Sequence, residues 1–158
     1  MRRVPLLDGG SDPIGVALAT GAGHLIVDLE PLVVMWDSPT SRLDSHLAVV
    51  VDQVAGRATL TIATNSRQRP SNPVTGLTFR RRAGKPWRVG WARPMATDAA
   101  VVGDIVWTDG LLAWRIGAPF VLVSDQLMDP PLWPRVQRWT GRLLLKFLFV
   151  EGDGDNRQ

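Results

Sequence analysis

The sequence predicts an α/β fold, a three-layer Rossmann-like sandwich around a mostly parallel sheet. Short apolar runs alternate with longer helical segments, which is the pattern of βαβ units. Acidic or hydroxyl residues, namely Asp28, Thr64 and Asp104, directly follow three of the apolar runs. In open α/β sheets ligands bind outside the carboxyl ends of the strands, so this placement also indicates where a site would lie.

Five apolar or β-branched runs predict the strands. The first, HLIVDL, contains an aspartate near its end, and the second, ATLTIAT, is rich in β-branched residues. The polar, proline-containing segment 65–76 separates the second run from the third and is predicted to be a loop. The predicted strands are 24–29, 58–64, 77–80, 99–102 and 119–123.

Three segments, 43–56, 108–116 and 134–150, have the apolar spacing of helices. Gly56, the last residue of the first segment, and Gly117, directly after the second, are predicted to end these helices. The length of 158 residues suits one domain, 1–158, with a core at about 20–150 and a frayed tail at 151–158.

Composition excludes several classes of protein. The chain has no cysteine, which rules out a disulfide framework, thiolate metal sites and a cysteine nucleophile. Its formal charge of +3 is too small to predict a nucleic-acid partner, and no reading helix or aromatic-basic RNA motif is present. No apolar run is long enough to span a membrane. The basic, apolar start is interrupted at 8–13, too early for an export signal, so we expect a cytoplasmic protein.

Aspartates at neighbouring strand ends repel one another unless a cation lies among them. A site without cysteine and with few histidines favours a hard, oxygen-ligated ion such as Mg²⁺. A nearby lysine and a nearby hydroxyl would suit an anionic substrate, and together these groups indicate phosphoryl transfer. Taken alone, Asp28 is better explained as a turn former or helix cap than as a catalytic residue.

Four motifs in order resemble those of haloacid dehalogenase (HAD) superfamily phosphatases. They are DLEPL at 28–32, Thr64-Asn65, Lys85-Pro86 and GDIVWTD at 103–109. The sequence is most similar to subfamily IIIA, the YqeG-like phosphatases, in which an apolar stretch ending in Trp-Asp follows the first motif, as at 33–37 here. The similarity extends over about 23–149 and includes a basic amphipathic helix near the end.

The resemblance implies a HAD-like domain without a large cap domain, which hydrolyses phosphate monoesters with Mg²⁺ through an aspartyl-phosphate intermediate. Asp28 would be the nucleophile and a metal ligand. Asp104 and Asp109 would be further ligands, and Glu30 would contribute its backbone carbonyl.

The same resemblance implies the substrate contacts. Thr64 and Asn65 would hold phosphate oxygens, and Lys85 would offset the charge of the nucleophile and the transferring group. Two of these assignments compete with simpler readings, because a threonine suits a strand anyway and a loop lysine is commonly solvated. The best-known substrate in this subfamily is phosphatidylglycerophosphate, so the expected partner is a phosphorylated small molecule or lipid head group.

The first motif departs from the family pattern, Asp-x-Asp-x-Thr. Glu30 replaces the second aspartate, which would be the acid and base of the reaction. Pro31 stiffens the backbone, and Leu32 replaces a hydroxyl. The alternative is therefore a catalytically degenerate HAD-like domain that binds a metal, a phosphate ligand or a protein partner without turnover.

Two basic features allow more than one interpretation. The run at 80–82 is either a solvated edge, which we favour, or a contact for an anionic head group. On a helical wheel of 134–150, a basic stripe lies beside an apolar one, Val136, Trp139, Leu143, Phe147 and Val150. That helix is predicted to pack on the sheet, to touch an anionic membrane peripherally, or to do both.

Overall fold

The computed structural model describes residues 3–30, 32–33, 42–123 and 132–152. These residues form seven strands and four α-helices, with a 3₁₀ segment at Arg93–Asp98 and a π-helical turn at Val106–Gly110. The strands are β1 (Val4–Asp8), β2 (His24–Val27), β3 (Thr59–Ala63), β4 (Leu77–Arg80), β5 (Ala99–Gly103), β6 (Phe120–Leu122) and β7 (Phe149–Glu151). The helices are α1 (Pro13–Ala19), α2 (Leu43–Val54), α3 (Leu111–Ile116) and α4 (Leu132–Leu148).

The described strands form one sheet in the order β4-β3-β2-β5-β6-β1-β7, and every adjacent pair is parallel. From β2 the chain continues outward to β3 and β4 on one side, whereas β5 and β6 lie on the other side. The carboxyl ends of β2 and β5 therefore flank a topological switch point, where sheets of this kind bind ligands.

Helices cover both faces of the sheet, so the predicted three-layer, Rossmann-like α/β sandwich is confirmed. In β2, Leu25 and Val27 face a core shared with α1 and α2, while Ile26 faces a second core with α3 and the end of α4. This alternation follows from the two-residue period of a strand. In the described part of the chain, the connections between strands hold single helices or loops, and none forms a cap domain.

Five predicted strands are present as β2 to β6, and the predicted helices correspond to α2, α3 and α4. The prediction missed β1, α1 and β7. The sheet accordingly begins at Val4 rather than near residue 20, and Glu151, predicted as tail, is the last residue of β7 and pairs with Leu6. The remaining tail, 153–158, lies outside the described residues.

The missed elements have weak local signals. Pro5 lies within β1, and a proline ordinarily argues against an internal strand. Helix α1 has only seven residues, although Asp12 caps it by accepting a 2.9 Å hydrogen bond from the amide of Gly15. Strand β7 follows α4 without a turn residue between them, because Phe149 pairs with Val4 in the sheet instead of continuing the helix.

Within the described segments, no helix combines the length and the apolarity needed to cross a bilayer.

Candidate active site at the carboxyl edge of the sheet

The ends of β2 and β5 place Asp28 and Asp104 next to each other. The Asp28 amide donates a 2.9 Å hydrogen bond to the carbonyl of Val102, so the ladder between the two strands continues one residue past β2. Asp104 follows Gly103, the last residue of β5, and is buried. The sheet alone therefore brings two of the four predicted metal-binding residues to one edge.

A π-helical turn, not the predicted α-helical start at 108, brings Asp109 to the same edge. The amides of Asp109 and Gly110 both donate to the carbonyl of Ile105, at 2.9 and 3.4 Å, so the turn is one residue wider than an α-helical turn. The Thr108 hydroxyl donates a 3.2 Å hydrogen bond to Oδ2 of Asp109. Such turns occur frequently at functional sites.

Gly103 provides the space for the Asp109 carboxylate. A Cβ atom at position 103 would lie 2.5 Å from Cγ of Asp109 and 2.6 Å from its Cβ, far inside contact distance. The glycine of the GDIVWTD motif is therefore a steric requirement for the carboxylate cluster.

We expect Gly103→Ala to displace Asp109 and to lower any Mg²⁺-dependent activity by about 100-fold, the usual cost of misplacing a site by 1 Å. Gly90→Ala is the matched control, because a Cβ there meets nothing within 4 Å. Phosphate release and Mg²⁺ titration of both variants measure the effect. Equal activity in the two would show that the position of Asp109 is unimportant.

Asp28, Asp104 and Asp109 together form a carboxylate cluster in which one oxygen of each lies within 4.8 Å of the others. Lys85 lies against this cluster, with Nζ 2.9 Å from Oδ1 of Asp28 and 2.5 Å from Oδ1 of Asp109. The four side chains are buried or nearly so. The structure thus brings Asp28, Lys85, Asp104 and Asp109 together, as the sequence predicts.

Burial and mutual repulsion control protonation in the cluster. Burial, followed by the charge of Asp109, holds the pKa of Asp28 well above its usual value, and the opposing effect of Lys85 does not cancel the shift. Burial also disfavours the charged form of Lys85, but Asp109 and Asp28 outweigh it and raise the pKa of the ammonium. Lys85 is therefore a permanent cation in this cluster.

Two side chains hold the backbone around Lys85 in place. The side-chain amide of Asn65 donates to the carbonyl of Lys85 and accepts from its N–H, both at 2.9 Å. Next along the chain, Arg115 donates to the carbonyls of Pro86 and Trp87, at 2.8 and 3.2 Å. The amide of Asn65, predicted to contact phosphate, is used here to position Lys85.

Thr64 is buried immediately after β3. Its hydroxyl accepts a 2.9 Å hydrogen bond from the amide of Ser66 and donates a 3.1 Å bond to the Ser66 hydroxyl. These bonds shape the turn that leads to Asn65 and places it opposite Lys85. A contact between Thr64 and phosphate stays a prediction.

Glu30 is half-buried beside the cluster but is not one of its three clustered carboxylates. Burial and the charge of Asp104 raise the pKa of Glu30, while Lys85 acts in the opposite direction. Its part in metal binding, through the backbone carbonyl, stays a prediction. Leu32 packs against the apolar core, and Pro31 and 34–41, with the Trp-Asp pair, lie outside the described residues.

Sequence reasoning missed the contributions of Gly103 and Arg115. Gly103 had a signal, its place in GDIVWTD, whereas Arg115 had none, because its contacts to residues 86 and 87 are non-local. His24 lies at the opposite end of β2, where Nε2 is 2.9 Å from the Thr61 hydroxyl, so it belongs to the sheet and not to the site.

The arginines near Lys85 form a basic edge. The guanidinium of Arg80 stacks on the ring of Trp91 at 5.1 Å, and the amide of Arg82 donates to the carbonyl of Ser66. The side chain of Arg88 packs across Gly84, directly before Lys85. The whole segment 53–97 contains nine Lys and Arg residues and no Asp or Glu.

No family model matches this sequence, and no curated protein or solved structure matches it either.

Proposed function

We propose that this chain is a Mg²⁺-dependent phosphate monoester hydrolase of the HAD type, with Asp28 as the nucleophile. The observation that carries the proposal is the cluster of Asp28, Asp104 and Asp109 at the switch point of the sheet, with the Lys85 ammonium against it. A buried group of like charges destabilises the fold. Its presence at a ligand-binding edge of the sheet therefore supports a role in function.

The donor set suits Mg²⁺. With all three carboxyl groups ionised, the cluster and the Lys85 ammonium together carry two negative charges, which one divalent cation would balance. Two ligands of one Mg²⁺ are about 4.2 Å apart at most, since Mg–O bonds are about 2.1 Å long. The three carboxylate oxygens lie within 4.8 Å of one another, which is close to that separation. Small rotamer changes would therefore bring all three within bonding distance of one Mg²⁺. When bound, the ion would neutralise charge on the phosphoryl group.

The residues themselves would perform the group transfer. Oδ1 of Asp28 accepts from the amide of Leu29 at 2.8 Å and lies 2.9 Å from Nζ of Lys85, which fixes the orientation of the carboxylate. A carboxylate oxygen of Asp28 would attack phosphorus while the bond to the leaving oxygen breaks. Water would then hydrolyse the aspartyl phosphate, releasing phosphate and regenerating Asp28.

Glu30 is the candidate acid and base. The raised pKa of Glu30 favours the protonated form, which the first step needs to protonate the leaving oxygen. The resulting carboxylate would accept a proton from the attacking water in the second step. Its extra methylene, relative to aspartate, places this proton farther from its own backbone.

The substrate class follows from charge. The segment 53–97, which carries the predicted phosphate contacts and Lys85, is exclusively basic in its charged residues and so favours an anionic substrate. We include phosphorylated small molecules and phospholipid head groups, with phosphatidylglycerophosphate as the candidate that the family resemblance suggests. We place the reaction in the cytoplasm, in keeping with a chain that lacks cysteine.

The test is Mg²⁺-dependent release of phosphate from an aryl phosphate and from phosphatidylglycerophosphate. Asp28→Asn should be inactive, and Asp52→Asn, an exposed aspartate on α2, should retain activity. Release that requires Mg²⁺ and Asp28 supports the proposal. Release that survives in Asp28→Asn or in EDTA contradicts it.

The degenerate HAD-like domain is the second candidate, and Leu32 is the observation that favours it. Leu32 packs against the apolar core at the position where the family has a hydroxyl beside the nucleophile loop. If the folded protein binds Mg²⁺ in a calorimetric titration, loses this binding in Asp104→Asn and releases no phosphate, this candidate replaces the hydrolase.

A further inference from the structure

Helix α4 exposes a row of large apolar side chains. Trp139 is 69% exposed, Leu143 65% and Phe147 62%, and the same row includes Val136 and Val150. Successive members from 139 to 147 are four residues apart, so they lie on one side of the helix. Continuous exposed apolar surface of this kind marks an interaction site.

The opposite side of α4 attaches the helix to the domain. Gly141 lies so close to the π-helical turn that a Cβ there would be 2.9 Å from Cβ of Val106. Leu144 and Leu145 pack against the second core, and Leu148 is buried in it. One side of the helix therefore packs into the core. The exposed row is further apolar surface, which the described residues do not bury.

The charge of α4 favours an anionic partner. The segment 132–150 contains four basic residues, Arg135, Arg138, Arg142 and Lys146, and no acidic residue. Lys146 lies beside Phe147 and is exposed. An isologous dimer through this row would bring two such basic helices together, which is unfavourable, whereas an anionic bilayer attracts them. Tryptophan and phenylalanine beside a stripe of Lys and Arg suit a helix that lies in the interface of an anionic membrane.

We propose that the exposed row of α4 docks the protein on an anionic phospholipid bilayer. The docked surface is continuous with the candidate active site. Nε1 of Trp107 donates a 2.7 Å hydrogen bond to the hydroxyl of Thr140, and Trp107 is 37% exposed in the turn that carries Asp109. Docking through α4 thus brings the carboxyl edge of the sheet close to the lipid surface. Binding to the bilayer does not depend on turnover at that edge.

The experiment is flotation of the full chain with vesicles of phosphatidylcholine alone and of phosphatidylcholine with phosphatidylglycerol. The double variant Leu143→Gln, Phe147→Gln should partition into the anionic vesicles at least about tenfold less, because two large apolar side chains no longer enter the interface. Val49→Gln is the matched control, since Val49 is 57% exposed on α2, on the other face of the sheet. It should bind as the unmodified chain does.

Lys146→Gln tests the charge component. It should weaken binding about fivefold on the anionic vesicles and leave binding to phosphatidylcholine unchanged, because each basic residue near an anionic surface contributes about that factor. The changed side chains are exposed, so circular dichroism and urea midpoints should match those of the unmodified chain.

Two results would overturn the proposal. One is equal vesicle binding by the double variant and by Val49→Gln. The other is a dimer, detected by light scattering without lipid, that the double variant abolishes, because this would assign the row to a second copy of the chain. Asp28→Asn should bind vesicles normally, and the double variant should hydrolyse a soluble aryl phosphate normally. Failure of docking and failure of the proposed hydrolase are therefore distinguishable.

Discussion

Asp28→Asn is expected to lower phosphate release by about 10⁴-fold or more while making the metal-free protein more stable near neutral pH. The substitution removes the nucleophile at almost constant volume. It also removes one of three clustered carboxylates, and Lys85 keeps its ion pair with Asp109. Replacing a residue that serves function at the expense of stability should raise the free energy of unfolding by about 1 kcal/mol.

The gain should depend on pH, and its sign follows from the pKa of Asp28. Because the folded protein raises that pKa, the folded state binds more protons than the unfolded chain above the unfolded value of 3.8. The stability of the unmodified protein therefore falls as pH rises from that value through the folded pKa. The Asp28→Asn variant does not lose stability in this way. In EDTA, its free energy of unfolding should therefore exceed that of the unmodified protein by more at pH 7 than at pH 4.

Urea unfolding at the two pH values, with Asp52→Asn as the control, measures the difference. A destabilised Asp28→Asn at pH 7 would mean that Asp28 is primarily a structural partner of Lys85, and the proposed nucleophile would lose its main support.

The strand-end residues of the site were predictable because a parallel sheet converts sequence position into spatial position. A buried run followed by an aspartate, repeated at residues 28 and 104, is enough to place two carboxylates together once β2 and β5 are neighbours. Their adjacency itself is a non-local property. The same limitation explains why β1 and β7 were missed, because each is stabilised by pairing with the other across almost the whole chain.

The detailed geometry of the site was less predictable. The spacing of GDIVWTD does not predict that the turn is π-helical, or that Asp109 lies against the Cα of Gly103. The use of the Asn65 amide to hold the backbone of Lys85 likewise depends on two loops that meet only in the folded chain.

Helix α4 shows the corresponding limit for amphipathic patterns. The apolar arc predicted from the sequence is present, but it faces outward. Apolar residues at 143–145 and 147–150 surround much of the helix, so periodicity alone does not select the inner side. The close contact between Gly141 and Val106 fixes the rotation of the helix and leaves Leu143 and Phe147 exposed.

Lys85→Met is expected to lower the free energy of unfolding of the metal-free protein at pH 7 by about 3–5 kcal/mol, the usual cost of removing one partner from buried charges. The methionine retains the apolar stem of the lysine, so the loss is electrostatic. It leaves Asp28, Asp104 and Asp109 without the ammonium that lies against two of them. Lys146→Met, at an exposed position and the chain's other lysine, should change the value by less than about 0.5 kcal/mol.

The same variant separates a metal site from a purely structural ion-pair cluster. Without the ammonium, a divalent cation has no competing charge, so Mg²⁺ should raise the free energy of unfolding of Lys85→Met more than that of the unmodified protein. A Mg²⁺ concentration of 100 times the Kd would restore about 2.7 kcal/mol. Lower pH should also restore stability, because protonation relieves the repulsion among the carboxylates. If urea midpoints of Lys85→Met respond to pH but not to Mg²⁺, the carboxylates do not form a cation site and the proposed chemistry fails with it.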